Sequence, residues 1–405
     1  MVYSYLSLLV SMKNLVENRI AIIGGHLTPA LSVLEQLQIR GYEDIIWIGG
    51  KYSQTGNKNT SPEYQVVKNK NIKFVELKAG KLWRKLTFKS IIPGLINFLL
   101  IPYGFIKAFF IILYYQPDLV LSFGGYLALP LVISSKLLLK KSITHEQTIV
   151  TGTTNKYIAK FADIILVSWE KSLSYFPENK TNFVGLPLRR SIYTQKENTK
   201  IFDNNLPILF AVGGNQGSNT INWRLLKILP ELLEHMNVIH LTGNSSLTQD
   251  FNKAVSLRES LSTELKSRYL VKEHAFDTEY DYAKYLASSD IVLSRAGANT
   301  IAEILYMGKL SVLIPIPWSS HNEQQLNAEL VASTGLGFVI KQTNDLEPIT
   351  IKHAIDKALA NHQKGTSFSG QTIAESRIIA RKFIHEDASQ KFVMYIERLL
   401  SRQIL

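Results

Sequence analysis

Residues 22–30 read IIGGHLTPA, and the apolar run RIAII that leads into them from Arg19 stops at Gly24-Gly25. A buried strand, a glycine turn and a helix start account for every residue. Thr28 suits an N-cap, Pro29 suits the first helical position, where a missing N–H costs nothing, and Gly41 suits the C′ position that ends the helix. His26 thus sits in the mouth of a strand–turn–helix unit, where open α/β sheets bind ligands. The turn alone leaves two readings of His26 open: a polar loop residue, or an imidazole that acts on a ligand.

The same alternation runs outward along the chain. DIIWIGG (44–50), NIKFVEL (71–77), DLVLSFGG (118–125), SITHEQ (142–147) and DIILVSW (163–169) read as strands with helical patterns between them. VGLPLRRS (184–191) ends this half, and the polar residues 193–206 read as a linker. PILFAVGG (207–214), MNVIHLTG (236–243), YLVKEHAF (269–276), DIVLSRAG (290–297), KLSVLIPIP (309–317) and GFVIKQ (337–342) restart the series. Two or three helices follow, the last amphipathic through Phe392, Tyr395, Ile396, Leu399 and Leu400. This predicts two doubly wound α/β domains: 1–192 and 207–375, joined by 193–206 and followed by C-terminal helices at 376–405. Right-handed crossovers place the glycine turns of each half along one sheet edge.

Composition narrows the function. The 405 residues are 46% hydrophobic, enough to build large cores, and carry no cysteine. Disulfide scaffolds, thiolate zinc sites and a cysteine nucleophile are excluded, in keeping with a cytosolic protein. A net charge of +12 points to an anionic partner. There is no long Lys/Arg run and no nucleic-acid motif, which argues for a phosphorylated substrate or an anionic membrane over nucleic acid. The N-terminal run lacks a basic flank and a cleavage site, a poor signal peptide, and Met12 is a candidate start. Residues 91–115 are nearly long and apolar enough to span a bilayer. Pro93, Pro102, Gly104, Lys107 and the buried strand that follows at once argue instead for helices packed on the sheet with one apolar face outside. With Lys81, Arg84 and Lys85 around Trp83 just before it, that face suits monotopic contact with an anionic leaflet.

Four turns carry the chemistry: Gly24-Gly25-His26, Gly124-Gly125-Tyr126, Gly213-Gly214-Asn215-Gln216-Gly217-Ser218 and Arg295-Ala296-Gly297-Ala298-Asn299-Thr300. Glycine lets backbone N–H groups approach an anion, and the helix that follows adds partial positive charge. One such turn is weak evidence; four across two domains point to a phosphate or nucleotide site. Neither GxxxxGK[ST] nor GxGxxG is present, against NTPase and dehydrogenase readings. Glu303, one turn into its helix, suits either two ribose hydroxyls or the helix dipole. Gln324, Gln325 and Asn327 suit sugar hydroxyls or an exposed first turn equally well.

The ordered pieces GGH–PAL, GGY, HEQ–GTTNK, VG-PLR, GGNQGS, RAGANTIAE and QQLNA resemble the MurG-type glycosyltransferases, from about Arg19 to the last helices. The resemblance implies the GT-B fold, two Rossmann-like domains facing a cleft, with UDP-N-acetylglucosamine (UDP-GlcNAc) as donor. It implies lipid I, a polyprenyl-pyrophosphate-linked MurNAc-peptide, as acceptor, and work at the cytoplasmic face of the bacterial membrane. By resemblance Gly214, Asn215, Gln216 and Gly217 lie at the diphosphate, with Gly25 of the first turn also on the donor side. Arg295, Ala298 and Asn299 line the nucleotide, Glu303 holds the ribose, and Gln324 and Gln325 meet the GlcNAc hydroxyls. Thr148 stands where the family has an asparagine at the donor sugar, and Arg189 lies near the phosphates or the hinge. Gly124, Gly125, Tyr126, His145 and Glu146 belong to the acceptor side. The chain departs from the family in its first loop, GGH where GGTGGH is usual, in LPLR for NPVR, and in Asn215 for a serine.

The implied reaction inverts the anomeric centre, with His26 as base and turn N–H groups holding the leaving diphosphate. No resident metal is required, although magnesium in solution can help UDP leave. Three alternatives stand beside it: a GT-B transferase with another lipid-linked acceptor, a UDP-sugar epimerase, and a binding homologue without activity.

Overall fold

The computed structural model describes residues 17–52, 60–80, 91–195, 199–214, 217–243, 245, 247–274 and 279–401. The N-terminal run with Met12, the basic cluster at Lys81, Arg84 and Lys85, and Asn215 and Gln216 lie outside the described residues. The chain divides into two compact units, residues 1–187 with 386–405, and residues 188–385.

The first unit holds a seven-stranded parallel sheet in the order β3-β2-β1-β4-β5-β6-β7. Its strands are β1 (Ile20–Ile23), β2 (Ile45–Gly49), β3 (Lys73–Glu76), β4 (Leu119–Ser122), β5 (Lys141–Glu146), β6 (Ile164–Val167) and β7 (Thr181–Phe183). Helices α1 (Leu27–Ile39), α2 (Pro62–Asn69), α3 (Ile91–Tyr115), α4 (Ala128–Leu137) and α5 (Thr153–Phe161) connect them. β1 and β4 are buried at every residue, the mark of a parallel sheet covered on both faces. The strand order reverses between β1 and β4, so the turns after these two strands flank the switch point.

α1 begins earlier than the sequence suggests. His26 is its N-cap, and Thr28 and Pro29 lie inside the first turn. Pro29 is tolerated there because the first four helical N–H groups lack intrahelical partners anyway. At the far end Gly41 takes φ +89°. Its N–H donates to Gln38 at 3.0 Å and the Tyr42 N–H to Leu37 at 3.1 Å, a Schellman closure.

Residues 91–115 form one helix, not several, continuous through Pro102. Residues 97–115 are long and apolar enough to cross a membrane. One side packs into the sheet through Ala108, Ile111 and Ile112, while Phe98, Leu99, Ile106, Phe110 and Tyr114 are exposed.

The second unit holds a six-stranded parallel sheet ordered β10-β9-β8-β11-β12-β13. The strands are β8 (Ile208–Val212), β9 (Asn237–Leu241), β10 (Tyr269–Lys272), β11 (Ile291–Ser294), β12 (Leu310–Leu313) and β13 (Gly337–Val339). Its helices are α6 (Arg190–Thr194), α7 (Asn219–Leu233), α8 (Asp250–Ser260), α9 (Thr263–Ser267), α10 (Glu279–Ser288), α11 (Ala298–Met307), α12 (Glu323–Ser333), α13 (Pro348–Lys364) and α14 (Ile373–Arg381). Here the order reverses between β8 and β11.

The last helix, α15 (Ala388–Ser401), belongs to the first unit. Phe392, Val393, Ile396, Leu399 and Leu400 join the core that contains Leu34 and Leu37 of α1. Ser389 and Ser32 share a buried hydrogen bond of 2.7 Å, and Phe392 stacks on Phe123 with ring centroids 5.4 Å apart.

Candidate functional site

In the first unit the turns after β1 and β4 meet backbone to backbone. A Cβ on Gly25 would lie 1.9 Å from the Gly124 carbonyl oxygen, so only glycine fits. Gly124 and Gly125 have φ of +78° and +82°, the left-handed region that glycine enters without strain. This contact fixes where His26 stands. His26 is half-buried at the N-terminus of α1, and its side chain makes no capping bond. Burial pushes its imidazole down to about 4, so it is neutral at physiological pH. Tyr126 is 42% exposed on the same edge.

His145 lies elsewhere than expected. It is fully buried between Phe123 and Phe392, with Nε2 2.9 Å from the Ser168 hydroxyl. Burial pushes it down to about 3. Because β5 is covered on both faces, this imidazole is a core group and lines no wall. Glu146 is also buried, and its carboxyl is spent on its own loop. One oxygen accepts from the Thr148 N–H and hydroxyl at 3.1 and 2.6 Å, the other from the Gly152 N–H and the Asn155 amide at 3.2 and 3.0 Å. Desolvation raises this carboxyl against those four bonds. Thr148 is thereby held rigidly, at 5% exposure.

In the second unit, Arg295 ties the strand ends together. Its Nε donates to the Ser218 hydroxyl at 2.9 Å, and its Nη1 to the Ile314 carbonyl at 2.8 Å and Gln342 Oε1 at 2.7 Å. Burial lowers it to about 10, still a full positive charge near neutrality. Ser218 is the N-cap of α7, so the cation stands beside a helix N-terminus, a favourable place for an anion.

The glycines there divide by role. Gly217, at φ +78°, is needed because a Cβ would lie 1.9 Å from the Thr242 carbonyl. Gly214 and Gly297 instead face open space. Gly297, the N-cap of α11, has φ −67°, which any residue adopts. Neither packing nor backbone strain calls for a glycine there. Ala298 and Asn299 follow at the first two helical positions, and the Asn299 Oδ1 is buried without a partner among the described residues.

Glu303 is 1% exposed, 3.1 Å from Arg189 Nε, with the Tyr282 phenol also bonded to it. Burial raises its carboxyl, while Arg189 and Tyr282 pull it down. The Arg189 guanidinium lies over the Tyr282 ring at 4.6 Å. Gln324 Oε1 accepts from the Ile316 N–H at 3.0 Å and so shapes its own loop, whereas Gln325 pairs with Glu329 at 2.9 Å on the exposed side of α12. The Asn327 amide holds the Ala296 carbonyl at 2.9 Å. Among the described residues no cluster of three or more His, Asp or Glu could hold a metal.

Sequence reasoning missed Glu63. This carboxyl accepts from Trp47 Nε1 at 2.7 Å, beside the first glycine turn. The signal was a tryptophan on β2 with glycines at 24 and 49 around it.

Both halves match models of one family: its N-terminal domain over residues 23–167 and its C-terminal domain over residues 208–383. The chain belongs to glycosyltransferase family 28. Among its family-28 relatives, the Clostridium perfringens strain 13 UDP-N-acetylglucosamine–N-acetylmuramyl-(pentapeptide) pyrophosphoryl-undecaprenol N-acetylglucosamine transferase is 32% identical over 78% of this chain and 83% of its own length. The Treponema denticola protein of the same name is 33% identical over 77% of this chain and 80% of its own. The Desulforamulus reducens one is 29% identical over 94% and 97%. The fold is shared with Acinetobacter baumannii MurG at a TM-score of 0.62 and 23% identity, covering 94% of this chain and 99% of that one. The glycosyltransferase of kitacinnamycin aligns at a TM-score of 0.65 and 17% identity over 95% and 99%. The architecture is therefore GT-B, two parallel-sheet α/β domains of family 28.

Proposed function

We propose that this protein transfers GlcNAc from UDP-GlcNAc to the C4 hydroxyl of MurNAc in lipid I, making the lipid II precursor of peptidoglycan. The observation that carries this reading is the 32% identity, running through both domains, to a transferase named for that donor and acceptor. The C4 hydroxyl attacks C1 of GlcNAc, the bond from C1 to the diphosphate breaks, and the linkage inverts from α to β.

The donor falls mainly to the C-terminal unit and the acceptor to the N-terminal one. In the C-terminal unit Gly214, Asn215, Gln216 and Gly217 receive the diphosphate, aided by the α7 N-terminus and Arg295. Ala298 and Asn299 line the nucleotide, Glu303 takes the ribose by exchanging its bond to Arg189, and Gln324 and Gln325 meet the sugar. In the N-terminal unit Gly124, Gly125 and Tyr126 border the acceptor, Gly25 and Thr148 belong to the donor side, and Glu146 acts by holding Thr148. His26, neutral near pH 7, takes the hydroxyl proton. Backbone N–H groups and helix N-termini hold the leaving UDP without a resident metal, and magnesium in solution assists.

The exposed face of α3 rests on the anionic cytoplasmic leaflet, where the acceptor resides, and the product feeds wall growth, cell shape and division. Incubation with labelled UDP-GlcNAc and purified lipid I tests the reading: a labelled β1,4 disaccharide on lipid supports it. Label on another lipid, or epimerised sugar formed without acceptor, contradicts it.

A further inference from the structure

The Glu63 carboxyl stands at the glycine turn that carries His26, and the mechanism above leaves it unused. Glu63 lies in the first turn of α2, whose N-cap Ser61 accepts from the Tyr64 N–H at 3.2 Å. Trp47 Nε1 holds one carboxyl oxygen at 2.7 Å. A Cβ on Gly24 would lie 2.9 Å from that oxygen, and one on Gly49 would lie 3.0 Å from both oxygens. Two glycines thus leave the room in which the carboxyl reaches the turn.

Among the described residues, few groups face it. β2 contributes the indole of Trp47 and the backbone of Gly49; the turn after β1 contributes Gly24, with His26 two residues on. The turn after β4 contributes Tyr126, whose phenol is raised first by burial and then by the charge on Glu63. On α2 itself the neighbour is Tyr64, with the Lys51 ammonium 5.5 Å over its ring. No cation among the described residues pairs with the carboxyl. Burial pushes it up to about 7, outweighing the Trp47 hydrogen bond that lowers it. A fold that needed only an acceptor for the indole N–H would be served as well by glutamine.

We propose that Glu63 is an acceptor-recognition residue which, as a neutral carboxylic acid, donates a hydrogen bond to a diphosphate oxygen of the acceptor at the first glycine turn. The proposal rests on the reading that the N-terminal unit binds a lipid diphosphate. An ionised carboxylate at that place would repel the diphosphate; a neutral acid donates to it. Binding of the anion favours the protonated form further, so acceptor affinity falls when Glu63 ionises.

The test is the KM for purified lipid I, with UDP-GlcNAc saturating, for the wild-type chain and for Glu63→Gln between about pH 6 and about pH 8. The diphosphate diester does not itself titrate across this range. In the wild type, acceptor KM rises about tenfold over the interval, as expected for one ionisation near 7. In Glu63→Gln, which keeps an oxygen for Trp47, it stays flat, and the KM for UDP-GlcNAc is the same in both. Trp47→Phe removes the bond that lowers the acid and moves the wild-type rise to higher pH, a second readout should Glu63→Gln not fold. Parallel acceptor profiles in wild type and Glu63→Gln, an unmoved rise in Trp47→Phe, or an equal change in donor KM overturns the proposal. Absence of transfer by the wild type overturns the functional reading on which it stands.

Discussion

The Cα of Gly25 faces the Gly124 carbonyl so closely that a methyl group there would lie 1.9 Å from the oxygen. Two turns from opposite sides of the strand-order reversal are thereby locked together, and the imidazole of His26 is positioned by this backbone contact. Gly25→Ala must push the turns apart. Transfer is expected to fall by about a hundredfold, the usual effect of an ångström-scale misplacement, and stability by about 1–3 kcal/mol. Gly152→Ala, where a Cβ meets nothing within 4 Å, is the control and keeps both activity and melting temperature. Steady-state rates and thermal melts of the two variants check this.

Gly297 offers the opposite case. Its backbone suits any residue and a Cβ would touch nothing, so Gly297→Ala should leave stability within about 0.5 kcal/mol of wild type. If the diphosphate or nucleotide approaches there, the KM for UDP-GlcNAc rises about tenfold or more while that for lipid I is unchanged. Calorimetric titration with UDP gives the same answer without an acceptor.

Acid should unfold the protein partly through its core histidines. His145 and His240 are fully buried and held by burial at about 3 and about 4. The folded state keeps both neutral, while the unfolded chain takes up protons below about 6.5, so stability is lost as pH falls from there. By about pH 5 each contributes a loss of roughly 2 kcal/mol. His240→Gln removes one share: the slope of unfolding free energy against pH between these values becomes shallower, as denaturant melts would show.

Phe98, Ile106 and Phe110 project from α3 at 59–61% exposure. If this face rests on lipid, Phe98→Glu together with Phe110→Glu abolishes sedimentation with vesicles containing anionic lipid. UDP binding and the melting temperature stay unchanged, because the core side of α3 is untouched.

Much of the fold was legible because covered parallel strands read as unbroken apolar runs, and glycines mark where each ends. The three-residue β7 carries no such run and escaped notice. Pro29 suggested a first helical position, but the helix reaches back to His26, since proline fits anywhere in the first turn. His145, in a polar HEQ triplet at a strand end, looked like an edge residue; its burial comes from Phe392, 247 positions later in the chain, which no local pattern reveals. Glu63 stands in a polar stretch that carries no motif of its own. Only the tertiary meeting of Trp47, Gly24 and Gly49 around it gives it another meaning.

Turnover of His26→Ala with both UDP-GlcNAc and lipid I saturating decides whether this imidazole is the base. The wild type is expected to form the β1,4-linked disaccharide on lipid, and the variant to bind UDP normally while its kcat falls by about 10²–10⁴-fold. Near wild-type kcat in a folded His26→Ala protein would contradict it.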